Sequence, residues 1–117
     1  MGVFSPYETM VLHKLLEARY DRDQIEAIVK DAMFVSLEHT GVGYFLTVRH
    51  PLMPGTRIVC SAPTLTGRLQ DVLCGFVLFL EGGELTFECF SYPSSANADG
   101  FVPEDIREQP VVIEAAG

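Results

Sequence analysis

Three histidines and three cysteines are the side chains of this sequence best suited to hold a metal ion or attack a substrate. His13, His39 and His50 stand at no recognised ligand spacing with a carboxylate. The cysteines Cys60, Cys74 and Cys89 are at least fourteen residues apart, so there is no C-x-x-C pair for zinc or redox exchange, and their odd number suits reduced thiols. Cys60 and Cys89 fall within apolar strand patterns, where a thiol behaves as a small inert hydrophobe. Cys74 precedes a strand in an irregular stretch beside Gly75, which makes it the one candidate nucleophile, with a histidine as its base. Gly41-Val42-Gly43 leads into a strand, with no helix N-terminus to receive an anion, so its chemistry is that of a turn. Glu81 and Glu84 flank a tight turn open to solvent, whereas acid–base catalysis needs shielded carboxylates.

The acids carry a stronger signal as a surface. Sixteen Asp and Glu against eight Lys and Arg give a net charge of −8. Residues 1–70 are balanced, with seven of each sign, while residues 71–117 hold nine acids against Arg107 alone. Such a balance argues against a nucleic-acid or anionic-membrane surface and suits a basic protein partner. The candidate partner-binding residues are Glu81 and Glu84 at a hairpin tip, Glu88 on the same hairpin, and Glu104, Asp105 and Glu108 in the tail. Phe79 and Phe90 supply an apolar centre if their face of the hairpin is open.

These residues need elements to position them. Ser5-Pro6-Tyr7-Glu8 combines a cap hydroxyl, a proline at the first helical position and a glutamate three residues after the cap. Tyr7, Val11, Leu12, Leu15 and Leu16 then form one stripe on a helix running to about Arg19. A second cap, Asp21 with Gln24 or Asp23 with Glu26, precedes Ile25, Ile28, Val29 and Ala32 at the same period. From Met33 the period becomes two. If residues 40–43 form a hairpin loop, the opposed pairs are His39 with Tyr44, Leu37 with Leu46, Val35 with Val48 and Met33 with His50, all on one face. His39 and His50 then stand at opposite ends, about 20 Å apart at ~3.3 Å per residue.

Arg57–Ala62 reads as a third strand, and residues 64–74 are ambiguous. Gly75–Glu81 and Glu84–Tyr92 are strands joined by Gly82-Gly83, whose two positions suit the positive φ angles of a type I′ turn. That register pairs Leu80 with Leu85, Leu78 with Phe87 and Phe76 with Cys89 on a wholly apolar face. Residues 93–100 read as a polar loop, Pro103–Glu108 as one helical turn and Val111–Glu114 as a last edge strand.

Together these features predict an α+β domain over residues 1–117, with two N-terminal helices packed on one face of a largely antiparallel sheet of about five or six strands. The N-terminal residues lack a signal-peptide pattern. The longest apolar run, Phe76–Leu80, is far short of a membrane span, so the expectation is a soluble cytoplasmic protein. No cofactor is implied.

Three segments carry a resemblance: Thr40-Gly41-Val42-Gly43-Tyr44-Phe45, Gly75-Phe76-Val77-Leu78-Phe79-Leu80-Glu81-Gly82-Gly83-Glu84-Leu85, and Phe90-Ser91-Tyr92-Pro93. They cover about a fifth of the chain and resemble a family of small bacterial proteins with a T-G-V-G-F-F-like turn and a G-F-x-L-F-x-E-x-G-x-L hairpin followed by a tyrosine-containing strand. The chain departs from that pattern at Gly82, where an acidic residue is common, and over Ala62–Cys74. The family has no established activity, so the resemblance implies no catalytic residue. By analogy, some small acidic bacterial proteins are immunity proteins that block basic toxins. The expected function is therefore a non-catalytic binding protein, in its concrete form an immunity-type inhibitor that offers its acidic half to a basic protein. The alternatives are a small thiol- or metal-dependent hydrolase using Cys74 and a histidine, and a homo-oligomer that pairs sheet edges or buries Phe79 and Phe90.

Overall fold

The computed structural model describes residues 2–70, 72–92 and 101–115. Helix α1 (Pro6–Leu16) starts where the sequence signal lies. The Glu8 carboxylate accepts the Ser5 backbone N–H at 2.8 Å, while the Ser5 hydroxyl makes no cap bond. Its apolar stripe is buried, and the helix ends three residues earlier than the periodicity suggests, because the Leu16 carbonyl is taken by the Arg19 and Tyr20 N–H groups in a tight turn. Helix α2 (Arg22–Asp31) uses Asp21 as its cap: the aspartate accepts the Gln24 N–H at 2.8 Å, and the Gln24 side chain accepts the Asp21 N–H at 3.0 Å. No helix among the described residues is long and apolar enough to cross a membrane.

Seven strands follow: β1 (Met33–His39), β2 (Gly43–Arg49), β3 (Ile58–Cys60), β4 (Leu65–Leu69), β5 (Val72–Glu81), β6 (Glu84–Tyr92) and β7 (Val112–Ala115). They form one antiparallel sheet in the order β1-β2-β6-β5-β4-β7, with β3 also paired to β5. The long β5 is shared along one side, pairing with β3 near Leu78–Leu80 and with β4 near Val72–Gly75. The α+β class thus stands, with one strand more than expected. The extra strand is β4, where the sequence is ambiguous because Thr66-Gly67-Arg68 lacks bulky side chains. Gly67 supplies the reason, since a Cβ there would stand 2.7 Å from the Phe76 ring, so the glycine lets Phe76 lie across β4.

The second hairpin has the expected register, and Gly82 and Gly83 take φ angles of +60° and +80°. The first hairpin departs from it. His39 and Leu37 oppose Tyr44 and Leu46 as expected, but a bulge between Phe34 and Ser36 shifts the rest, so that Phe34 faces Val48 and Met33 faces Arg49. Val35–Val48 and Met33–His50 pairs do not form, and the eight residues do not share one face. β1 lies at one end of the sheet, where among the described residues no strand pairs beyond it to hold the register and a bulge is well tolerated. The expected helical turn near the C-terminus is a short 3-10 turn (Ile106–Glu108) that buries Ile106. The polar loop over 93–100 lies outside the described residues.

Both helices pack on one face of the sheet, which we term inner. It buries Tyr44, Leu46 and Val48 from β2, Leu85, Phe87 and Cys89 from β6, and Cys74, Phe76, Leu78 and Leu80 from β5. Burial of each large side chain contributes about 1.5–3 kcal/mol, so this layer is the principal source of stability. The 101–111 segment closes the same side with Val102, Ile106 and Val111. Among the described residues, no element is stacked over the outer face.

Candidate interaction surface

The strand registers place the outer-face side chains in rows. One row runs Glu38, Phe45, Glu88, Val77 across β1, β2, β6 and β5. A second runs Ser36, Thr47, Thr86, Phe79, Val59, with the two threonine hydroxyls hydrogen-bonded at 3.0 Å. Phe90 lies on the far side of Glu88, opposite Gly75. A Cβ at Gly75 would stand 2.5 Å from the Phe90 ring and 2.7 Å from the Tyr92 hydroxyl, so the glycine allows Phe90 to lie flat on the sheet. The Tyr92 and Phe90 rings meet at a steep angle of 71°, with 5.4 Å between their centroids. Phe45, Val77, Phe79, Glu88 and Phe90 are all half-buried.

The acids expected to form this surface fall into separate settings. Glu81 and Glu84 face each other at the hairpin tip, but Glu84 is held by Arg49 at 3.0 Å and Glu81 by Arg57 at 3.8 Å. The Arg57 guanidinium also sits over the Phe79 ring, 5.1 Å from its centroid. These exposed pairs add little stability, yet they offset the like-charge contact. Arg57, Phe79, Glu81, Glu84 and Thr86 line a hollow of about 290 Å³. Glu104, Asp105 and Glu108 line a different hollow of about 340 Å³, with Phe4, Leu37 and His39. The two hollows share no residue.

Glu88 differs from both groups. It has no cation within ion-pair distance among the described residues, and its neighbours across the strands are Phe45 and Val77. Burial raises its pKa above the usual carboxylate range. Because the folded state then penalises the ionised form, the wild-type fold gains stability as pH falls through the raised pKa. Glu88→Gln should therefore melt higher than wild type at neutral pH, and the difference should shrink in acid. An equal or lower melting temperature at pH 7 contradicts this reading of Glu88.

A second polar cluster lies beneath the inner face. The Glu8 carboxylate, 0% exposed, accepts from Arg107 Nε at 2.7 Å and Nη2 at 2.9 Å, from the Tyr44 hydroxyl at 2.5 Å and from the Ser5 N–H at 2.8 Å. Tyr7 bonds to Tyr44 at 2.5 Å, and Arg107 also donates to the Val3 carbonyl at 2.8 Å. Burial pushes both phenols up, and hydrogen bonding to Glu8 raises Arg107 further. Four bonds fill the lone-pair sites of the carboxylate. It has no acceptor left for a substrate proton, so the cluster ties the tail to α1.

The candidate nucleophile is not in an irregular segment. Cys74 lies within β5, paired with Gly67 and Ser91, and is 1% exposed. The neighbouring Cys89 thiol lowers its pKa, while Cys74 and burial raise that of Cys89. Cys60 is also buried, and its thiol is pushed up by desolvation. All three thiols should stay unlabelled by iodoacetamide in native buffer over a time that labels them fully in denaturant. Fast labelling of any one in the folded protein contradicts this burial.

The histidines lie apart: His13 on α1, His39 at the end of β1 and His50 just after β2. Among the described residues, no three His, Cys, Asp or Glu side chains gather to hold a metal ion. Glu38 and Phe45 are not among the residues the charge pattern points to, although the His39–Tyr44 register implies their pairing on the reverse face. The Arg107–Glu8 bond, 99 residues apart in the chain, had no local signal beyond a lone tail arginine. Compared with known proteins, the chain matches no protein family, no curated protein and no solved structure. The likeness of its turn and hairpin motifs to a bacterial family gains no support there.

Proposed function

We propose that this chain is a small non-catalytic binding protein of the cytoplasm whose outer sheet face receives a basic protein. The observation that carries the reading is Glu88, a half-buried carboxylate without a cation, set between Phe45 and Val77 on a face that no described element covers. A Lys or Arg of the partner seated there gains the ion pair and the aromatic rings together. Glu38 lies in the same row and Glu81 and Glu84 at its rim, which adds steering at low salt. An inhibitor of immunity type, blocking a basic protein, is the concrete form.

A second reading is self-association, favoured by the exposed edge strand β1, where Met33, Phe34 and Val35 are 68%, 57% and 39% exposed. Light scattering over a range of concentrations separates the two, since edge pairing gives a mass that rises with concentration. Native co-purification at low and high salt, read by mass spectrometry, tests the first reading. A basic protein retained at low salt and released at high salt is expected; partners of any charge that ignore salt oppose it.

A further inference from the structure

A separate hollow of about 570 Å³ lies where the end of α2, the start of β1 and the loop after β2 meet, lined by Asp31, Met33, Arg49, His50, Pro51 and Gly83. Its volume falls within the usual range of small-molecule sites, about 300–1,000 Å³. Hydrogen bonds hold the wall formed by the loop. The His50 N–H bonds the Gly83 carbonyl at 3.2 Å, the Gly83 N–H bonds the Pro54 carbonyl at 3.1 Å, and the Gly82 N–H bonds the Gly55 carbonyl at 3.2 Å. The Tyr20 hydroxyl adds a bond to the Leu52 carbonyl at 2.9 Å.

His50 gives the hollow its chemistry. The residue is only 7% exposed, and its Nδ1 accepts the Leu52 N–H at 3.1 Å. An accepting Nδ1 is unprotonated, so the neutral ring carries its proton on Nε2. That Nε2–H has no hydrogen-bond partner among the described residues. Arg49 lines the same hollow and gives one bond, at 3.0 Å, to Glu84, leaving other guanidinium N–H groups to donate. Met33 and Pro51 offer apolar contact. Asp31 is the one acid in the lining and disfavours an anion only from its own side.

From this arrangement we infer that the hollow binds a small molecule with an apolar body and a carboxylate head, the head taken by His50 Nε2–H and Arg49. The site stands apart from Glu88 and does not rest on the partner reading. The test is titration of the 15N-labelled full chain with sodium hexanoate, hexanamide and hexylamine to about 10 mM, a range that registers millimolar binding. Hexanoate is expected to shift the Gly83 and Leu52 amides and the His50 Nε2 resonance, with the amide weaker and the amine weakest. His50→Phe should weaken hexanoate binding about tenfold, as expected for a lost bond to a charged group. Because that variant also removes the acceptor of the Leu52 N–H, Arg49→Gln serves as the second, with a comparable loss expected and His50 left in place. No shift at these positions, equal response to hexylamine, or full binding by both variants overturns the assignment.

Discussion

Replacing Arg107 with alanine should cost about 3–5 kcal/mol of folding stability, measured as the shift in a denaturant unfolding curve. The change leaves the Glu8 carboxylate buried with only the Tyr44 hydroxyl and the Ser5 N–H as donors, where Arg107 had supplied two charge-assisted bonds. An uncompensated buried charge is far more costly than the pair it came from is stabilising. The same reasoning predicts that the double variant Glu8→Leu, Arg107→Met recovers most of the loss, because apolar residues of similar volume remove the desolvation penalty with the pair. The break should also be local at first. Amide exchange should rise over 101–111, which Arg107 anchors to α1 and to the Val3 carbonyl, before it rises in β5 and β6. A loss below about 1 kcal/mol would mean that Glu8 is reached by water and that the cluster is not the tie described here.

The second large effect lies at the start of β2. A Cβ on Gly43 would fall 1.8 Å from the Cys89 carbonyl oxygen and 2.8 Å from its carbon. Both are main-chain atoms of the neighbouring strand, so no side-chain rotation relieves the clash, and β2 must move away from β6. Gly43→Ala should cost about 3 kcal/mol or more, at the upper end of overpacking penalties. Gly41, in the loop just before β2, makes the useful comparison. Its φ is +87° but a Cβ there meets nothing within 4 Å, so alanine costs only the left-handed backbone, about 1–2 kcal/mol. Thermal melts of the two variants, side by side, separate close approach from backbone conformation. Equal losses would contradict the geometry of the β2–β6 contact.

These two glycines illustrate how much the sequence could tell. Thr40-Gly41-Val42-Gly43 reads as a turn, and Gly41 is needed for that reason. The role of Gly43 depends on β6, which is more than forty residues away and pairs with β2 only in the folded sheet. The same division runs through the molecule. Helix caps at Ser5 and Asp21, the Gly82-Gly83 hairpin and its apolar face were legible because their signals are local. The bulge at Val35, the strand at 65–69 and the Glu8–Arg107 tie depend on what lies next to each segment in space.

For the candidate surface, the excess acids are countable in the C-terminal half of the sequence, but spacing does not tell which of them has a cation. Arg49 and Arg57, from the charge-balanced half, reach across the sheet to Glu84 and Glu81. Glu88, which no such arginine reaches, was one of eight candidates and carried no mark of its own. Its distinction comes from the register that sets it between Phe45 and Val77.

The claim that this outer face receives a basic protein rests on Glu88 and is tested most directly there. Tagged wild-type chain and Glu88→Lys are each recovered from the source cell at low salt, and the proteins retained by each are compared by quantitative mass spectrometry. Reversing a charge at the centre of an interface costs about 2–5 kcal/mol, so a basic protein held by wild type should fall by about thirtyfold or more with the variant. The variant must melt within a few degrees of wild type for the comparison to count, and Glu88→Gln should fall between the two. Retention of the same basic protein, in the same amount, by wild type and Glu88→Lys would contradict the account.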